Sequence, residues 1–233
     1  MLHPKRITAN MATFPQRRKY LEDVVNTLLP QVQILRIYLN GYQEVPEFLQ
    51  HPKVETFIGD DIGDAGKFFW LGCGHEVYFS VDDDFYYPPT YVRDHLQTLQ
   101  FYRNRVIVTL HGCLLKFPVE RYYRDRAEIY GWYESAPSKF VHVGGTGVMA
   151  FDTEAFPLQF IDVPSKNMAD IWVALKAQKL QMPILVREHQ ADYLTLIDEP
   201  AGESIWNRQQ DDPRPAYVIN SVPEWKLHVE EHA

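Results

Sequence analysis

The stretch Glu76-Val77-Tyr78-Phe79-Ser80-Val81-Asp82-Asp83-Asp84-Phe85-Tyr86-Tyr87-Pro88-Pro89 decides how this chain is read. Val77, Phe79 and Val81 alternate with Tyr78 and Ser80, which predicts a buried strand, and the strand then breaks into three consecutive aspartates. Adjacent carboxylates repel one another, and unpaired in a protein interior they are costly. A divalent cation turns that repulsion into binding. A hard ion such as Mn2+ or Mg2+ suits carboxylates together with the oxygens of a diphosphate. A solvated acidic turn before Pro88 would account for an isolated Asp-Asp-Asp. The apolar strand before it and the aromatics after it favour the cation.

Around this stretch lie 233 residues, 45% hydrophobic and 14% aromatic, enough to bury a sizeable core in one large domain. No low-complexity run, internal repeat or Gly/Ser linker divides them. A net charge of -8 and a pI near 5.6 argue against a dedicated nucleic-acid binder, which would carry a basic face. Cys73 and Cys113 are the only cysteines, so neither a disulfide framework nor a Cys-based zinc site is expected and a reducing compartment fits. No apolar run approaches the roughly 20 residues that span a bilayer, and the N-terminus lacks a secretory apolar core. The expectation is a cytoplasmic protein without a transmembrane segment, peripheral attachment to a membrane being left open.

Upstream, an apolar-alternating run from Arg6 to Met11 predicts a first strand that ends in Ala12-Thr13-Phe14-Pro15-Gln16-Arg17. Leu21, Val24, Val25 and Leu28 then fall on one helical face, and Ile34 to Leu39 form a second strand ending at Asn40-Gly41. Strand, helix and strand in close succession make a right-handed parallel unit that opens its loops at the strands' C-terminal edge, where such sheets bind ligands. A third short strand, residues 54–58, runs into Asp60-Asp61-Ile62-Gly63-Asp64-Ala65-Gly66-Lys67. This loop could approach a ligand closely, with Lys67 free to reach a phosphate.

Downstream, Val92, Leu96 and Leu99 mark a helix capped by Thr90, and a strand over residues 105–110 terminates at His111-Gly112. Residues 117–139, dense in Tyr, Arg and Glu, read as an excursion over the sheet's edge. Gly144-Gly145-Thr146-Gly147 interrupts a strand pair, the mark of a bulge or of something lying against the backbone. Met168, Ile171, Trp172 and Leu175 set a further helix face with Asn167 as N-cap. Asp170, three positions later, can close a capping box onto Asn167 and can also act as a carboxylate base at a helix start, and the two accounts are compatible. A last strand, residues 182–186, leads to His189.

This ordered set resembles the nucleotide-sugar-dependent glycosyltransferases of the GT-A fold, especially the family-2-like enzymes of polysaccharide and capsule assembly, over residues 5–195. The resemblance implies an α/β fold: a single Rossmann-like domain with a mostly parallel central sheet flanked by helices and a smaller antiparallel portion. Residues 1–110 would be the nucleotide-sugar-binding half, 111–195 the acceptor and catalytic half and 196–233 a C-terminal wrap. It implies metal-dependent, inverting transfer of a hexose from a UDP-sugar, with dTDP- and GDP-sugars as alternatives, to a saccharide acceptor. The cofactor would be Mn2+ or Mg2+. Asp84 and Asp82 would hold it, with a histidine, His189 or His228. Thr13, Phe14, Arg17, Asn40, Asp61, Asp64, Lys67, Asp82 and Asp83 would contact the nucleotide and donor. His111, Gly144, Gly145 and Thr146 would line the place where donor sugar and acceptor meet, and Asp170 would be the general base. The chain departs from the family where Asn40-Gly41 replaces an acid after the second strand, and where Ala169-Asp170 replaces an acid pair. Two other classes share parts of this pattern: sugar nucleotidyltransferases and non-catalytic carbohydrate-binding domains.

Overall fold

A computed structural model describes residues 5–131, 133–135, 137–197 and 211–229. Its strands are β1 (Arg6–Thr13), β2 (Ile34–Asn40), β3 (Val54–Gly59), β4 (Glu76–Val81), β5 (Phe85–Tyr86), β6 (Ile107–Thr109), β7 (Gly112–Leu115), β8 (Arg126–Tyr130), β9 (Lys139–Val141), β10 (Val143–Gly144), β11 (Val148–Asp152), β12 (Ile184–Val186) and β13 (Thr195–Leu196). The helices are α1 (Arg18–Leu28), α2 (Tyr91–Phe101), α3 (Ala169–Leu180) and α4 (Arg214–Asn220).

Eight strands form the main sheet in the order β3-β2-β1-β4-β11-β6-β12-β9. β3, β2, β1 and β4 run parallel, as do β6 and β12, but β11 is antiparallel to both β4 and β6, and β9 is antiparallel to β12. The mostly parallel sheet expected from the sequence is therefore corrected to a mixed one. The physical reason is that the chain leaves β6 at its C-terminal end, makes the β7–β8 excursion, and re-enters the sheet from that same end, so β9 and β11 both run against the other six strands. Small antiparallel sheets, β10-β7-β8 and β13-β5, stand above the main sheet's edge.

The sheet is the middle of three layers. The predicted face of α1, Leu21, Val24, Val25 and Leu28, is buried and joins Tyr91, Val92 and Leu99 of α2 against Met11, Ile37, Phe79 and Val81. On the other face, Ile171, Val173 and Ala174 of α3 and Ile219 of α4 pack on Tyr78, Met149 and Phe151. β4 thus feeds both cores through its alternation, and every one of its residues is buried. Glu76, the one charged residue of β4, is tied to Arg36 Nη1 at 2.8 Å, and Arg36 Nε reaches Glu55 at 2.9 Å. Thr90 stands at the N-cap of α2, but its hydroxyl donates to the Asp94 carboxylate rather than to a backbone amide. Of the expected C-terminal wrap, residues 198–210 and 230–233 lie outside the described residues. Among the described residues no helix is long and apolar enough to cross a membrane.

Removing one partner of a buried ion pair strands the other, which typically costs about 3 kcal/mol or more, whereas exposed pairs contribute about 1 kcal/mol or less. Glu76→Ala should therefore lose roughly 3 kcal/mol of unfolding free energy in urea titrations and Glu55→Ala less than about 1 kcal/mol. Equal losses would contradict this reading of the β2–β4 pair.

Candidate functional site

The order β3-β2-β1-β4 sends the chain from β1 through β2 and β3 on one side of that strand and places β4 on the other, so the loops after β1 and β4 diverge and leave a crevice between them. Arg17, from the loop after β1, spans this crevice to the acidic loop after β4. Its Nη1 lies 3.3 Å from Asp83 Oδ1 and 3.1 Å from Asp84 Oδ2. The crevice opens into a cleft of about 1090 Å³ that runs across the C-terminal edge of the parallel strands to the β10-β7-β8 sheet.

The acidic loop is anchored from below. The Asp82 amide donates to Gly147 O at 2.9 Å, and the Tyr87 hydroxyl lies 2.9 Å from Asp82 O and 3.0 Å from Gly147 O. Ile197, directly after β13, donates its amide to Asp84 O at 2.8 Å. Lys67, from the loop between β3 and β4, is buried and places its ammonium 2.6 Å from Asp82 Oδ1 and 3.3 Å from Thr146 Oγ1. The lysine expected to be free for a phosphate is thus paired within the protein.

Gly144-Gly145-Thr146-Gly147 is approached closely by neighbouring groups, and two of these are site side chains. A Cβ on Gly145 would fall 1.7 Å from His111 Nε2, and one on Gly147 would fall 1.9 Å from Asp82 Oδ2. Thr146 fixes Asp170: its amide and hydroxyl both donate to Asp170 Oδ1, at 2.8 and 2.6 Å. Ser80 holds the same turn through Thr146 O at 2.6 Å.

The capping box expected between Asn167 and Asp170 does not form. Asn167 has a left-handed backbone, φ 62°, and the start of α3 is capped instead by Asp64, which accepts from Asn167 N and from Ala169 N at 3.0 Å. Asp170 is thereby released from the helix end to meet Thr146. Asn40 stands where an acid was expected because it bonds a loop on both sides. Its Oδ1 accepts from Ile62 N at 2.9 Å and its Nδ2 donates to Gly63 O at 3.2 Å, a pair that a carboxylate could not make. Asp61 accepts from Gly63 N at 3.0 Å and from Lys166 Nζ at 2.8 Å.

Most residues singled out in the sequence therefore converge. Phe14, Arg17, Asn40, Asp61, Asp64, Lys67, Asp82, Asp83, Asp84, His111, Gly144, Gly145, Thr146 and Asp170 all line the one cleft. Three do not. Thr13 is fully buried at the end of β1. His189 is buried with Nε2 2.9 Å from Leu110 O and Nδ1 3.1 Å from Gln190 O, so its ring serves the backbone behind the site. His228 also lies away from the cleft lining. His111, rather than His189, is the histidine that lines the cleft with the acidic loop. Tyr122, Tyr123 and Arg126 line the cleft as well, unforeseen individually because the aperiodic stretch 117–139 gave no signal for its inward-facing residues.

Five aspartates, Asp64, Asp82, Asp83, Asp84 and Asp170, crowd two cations, Lys67 and Arg17. Desolvation works against the charge of Asp82, yet the Lys67 ammonium prevails and holds that carboxyl below the usual carboxylate range. Burial and then the charges of Asp82 and Asp83 push Asp84 up to about 7, with Arg17 pulling the other way. Burial likewise raises Asp64 to about 6, against Lys67 and the helix amides. Burial opposes the charge of Lys67, but Asp82 and Asp64 overcome it and raise its pKa. Burial lowers His111, against the attraction of Asp170 and Asp82. Asp84 Oδ1 is buried with no hydrogen-bond partner among the described residues. An under-neutralised carboxylate with a vacant oxygen suits a hard cation. Among the described residues no group of three His, Cys, Asp or Glu side chains gathers as a ready-made metal cage.

Because the folded protein keeps the Asp84 proton up to about pH 7 while an ordinary carboxyl releases it near 3.8, folding takes up a proton between those values. Stability from this group therefore grows as pH falls through 7 and is lost as pH rises. Unfolding free energies of wild type and Asp84→Asn, measured between about pH 5 and about pH 8.5, should diverge in that sense. A difference independent of pH would remove Asp84 as the titrating group. Comparison of the sequence with models of known protein families and with curated proteins yields no match.

Proposed function

We propose that the protein is a nucleotide-sugar-dependent glycosyltransferase of the GT-A type, transferring a hexose from a nucleoside diphosphate donor to a saccharide acceptor with inversion. The observation that carries the reading is the convergence, at the switch point of the sheet, of Asp82-Asp83-Asp84 with Asp170, held beside them by Thr146. One side of the cleft offers carboxylates and cations suited to a diphosphate and its counter-ion. The other offers an oriented carboxylate and aromatic rings suited to a sugar.

Asp84 Oδ1 and Asp82 Oδ2 are the oxygens left over by the ion pairs to Arg17 and Lys67, and they would hold Mn2+ or Mg2+ together with diphosphate oxygens. When bound, the ion supplies Lewis-acid stabilisation of the departing nucleoside diphosphate. Lys67 remains protonated beneath Asp82 and keeps its carboxylate ionised and oriented. Phe14 and Asn40, which line the cleft beside the acidic loop, would border the nucleoside. Asp170 Oδ1 is committed to Thr146, which leaves Oδ2 to take the proton of the acceptor hydroxyl as that oxygen attacks the anomeric carbon. Holding both substrates in one cleft supplies much of the remaining acceleration.

The loop Ala12-Thr13-Phe14-Pro15 after β1 lacks the glycines and basic residues that a triphosphate-binding nucleotidyltransferase would use, which favours transfer over nucleotidylation. UDP with Mn2+ should raise the melting temperature, since a ligand at about 100 times its Kd adds about 2.7 kcal/mol to the folded state. Asp84→Ala should lose that rise. Asp170→Asn should keep it while turnover falls by about 100-fold or more, the usual contribution of a general base. No stabilisation by any of UDP, dTDP or GDP, or full turnover in Asp170→Asn, would overturn the reading.

A further inference from the structure

Of the three lysine and arginine side chains that line the cleft among the described residues, two are matched to carboxylates. Lys67 is matched to Asp82, and Arg17 to Asp83 and Asp84. Arg126, at the start of β8, lines the same cleft but forms no ion pair among the described residues. Its Nη2 donates to Tyr123 O at 3.1 Å, and its Nε is buried with no hydrogen-bond partner. What holds it is aromatic. The guanidinium lies 5.8 Å from the ring centroid of Tyr122 and 5.5 Å from that of Tyr123. Tyr122 is itself buried, with its hydroxyl 3.9 Å from Cys113 Sγ. Rings support a guanidinium through its face and leave its edge of N–H groups for a planar anion.

The position of Arg126 says which substrate it meets. β8 pairs with β7 and β7 with β10, and β10 runs directly into Gly145-Thr146, the turn that holds Asp170. Arg126 is thus built on the frame of the carboxylate that would receive the acceptor's proton, not on the acidic loop.

We propose that Arg126 is the seat of an anionic substituent on the acceptor saccharide, the carboxylate of a uronic acid or a sugar phosphate. The proposal rests on the transferase reading only in naming this saccharide the acceptor; the binding itself is independent of turnover. Charge-assisted hydrogen bonds from Nη1 and from the Nη2 hydrogen that Tyr123 O leaves over distinguish such a saccharide from a neutral one.

Ligand-observed NMR titrations test this with methyl glucuronoside, glucose 6-phosphate and methyl glucoside as probes, without donor. Wild type should bind at least one of the two anionic probes about tenfold or more tightly than the neutral one, and the tighter of the two identifies the substituent. Arg126→Gln should abolish the preference, and Arg126→Lys should retain part of it, since it keeps the charge but not the planar fork. UDP binding in the presence of Mn2+ should be unchanged in both variants, which also reports that they are folded. Equal binding of all three probes, or a preference that survives Arg126→Gln, would overturn the assignment. Loss of UDP binding in a folded Arg126→Gln would place the residue on the donor side and overturn it as well. If the anionic preference holds and no nucleotide binds, the transferase reading fails while the anion seat stands.

Discussion

The contact between the Lys67 ammonium and the Asp82 carboxylate, 2.6 Å apart, is the one on which the rest of the cleft depends. It joins the loop between β3 and β4 to the end of β4, and through the Thr146 hydroxyl it reaches the turn between β10 and β11. A buried lysine without such a partner would shed its proton, and a carboxylate in this crowd without a cation would take one up. Each group keeps the other charged. The Asp82 backbone is fixed independently by Gly147 and Tyr87, so the pair has little freedom to relax.

Around that pair the charges are deliberately unbalanced. Arg17 relieves Asp83 and Asp84 only in part, which is why burial and neighbouring charge raise Asp84 so far above an ordinary carboxyl. Such a site is more costly to fold than a neutral core and is retained where an incoming cation or a bound anion completes it. Asp64 illustrates the economy of the arrangement: one carboxylate caps α3 and, through its charge, supports Lys67.

The strand Glu76 to Val81 and the buried stripe of α1 were legible because both carry an unambiguous period, and the acidic cluster was legible because three carboxylates have no packing explanation. The glycines of 144–147 announced a close approach. Local pattern does not say what approaches, and it is the imidazole of His111 and the carboxylate of Asp82. The sense of β11 was not readable, since a strand's period is the same in either direction. Nor were the long-range pairs. Asn167 looked like its own helix's cap, and only the fold reveals that Asp64 takes that part. Arg126 was hidden because β8 is largely exposed, so the chain offers no alternation to distinguish its inward side chains.

The cap that Asp64 places on α3 joins residues 103 positions apart, and the Lys67–Thr146 contact spans 79. Contacts of that separation form only after the intervening chain has closed into a loop, whose entropy must be lost first. A nascent chain that has emerged as far as residue 140 can own the acidic strand and its crossovers, yet the turn that seats Asp170 does not exist in it. Completion of the cleft is consequently a late event of folding: whatever reads an assembled cleft also reads that almost the whole polypeptide has found its place.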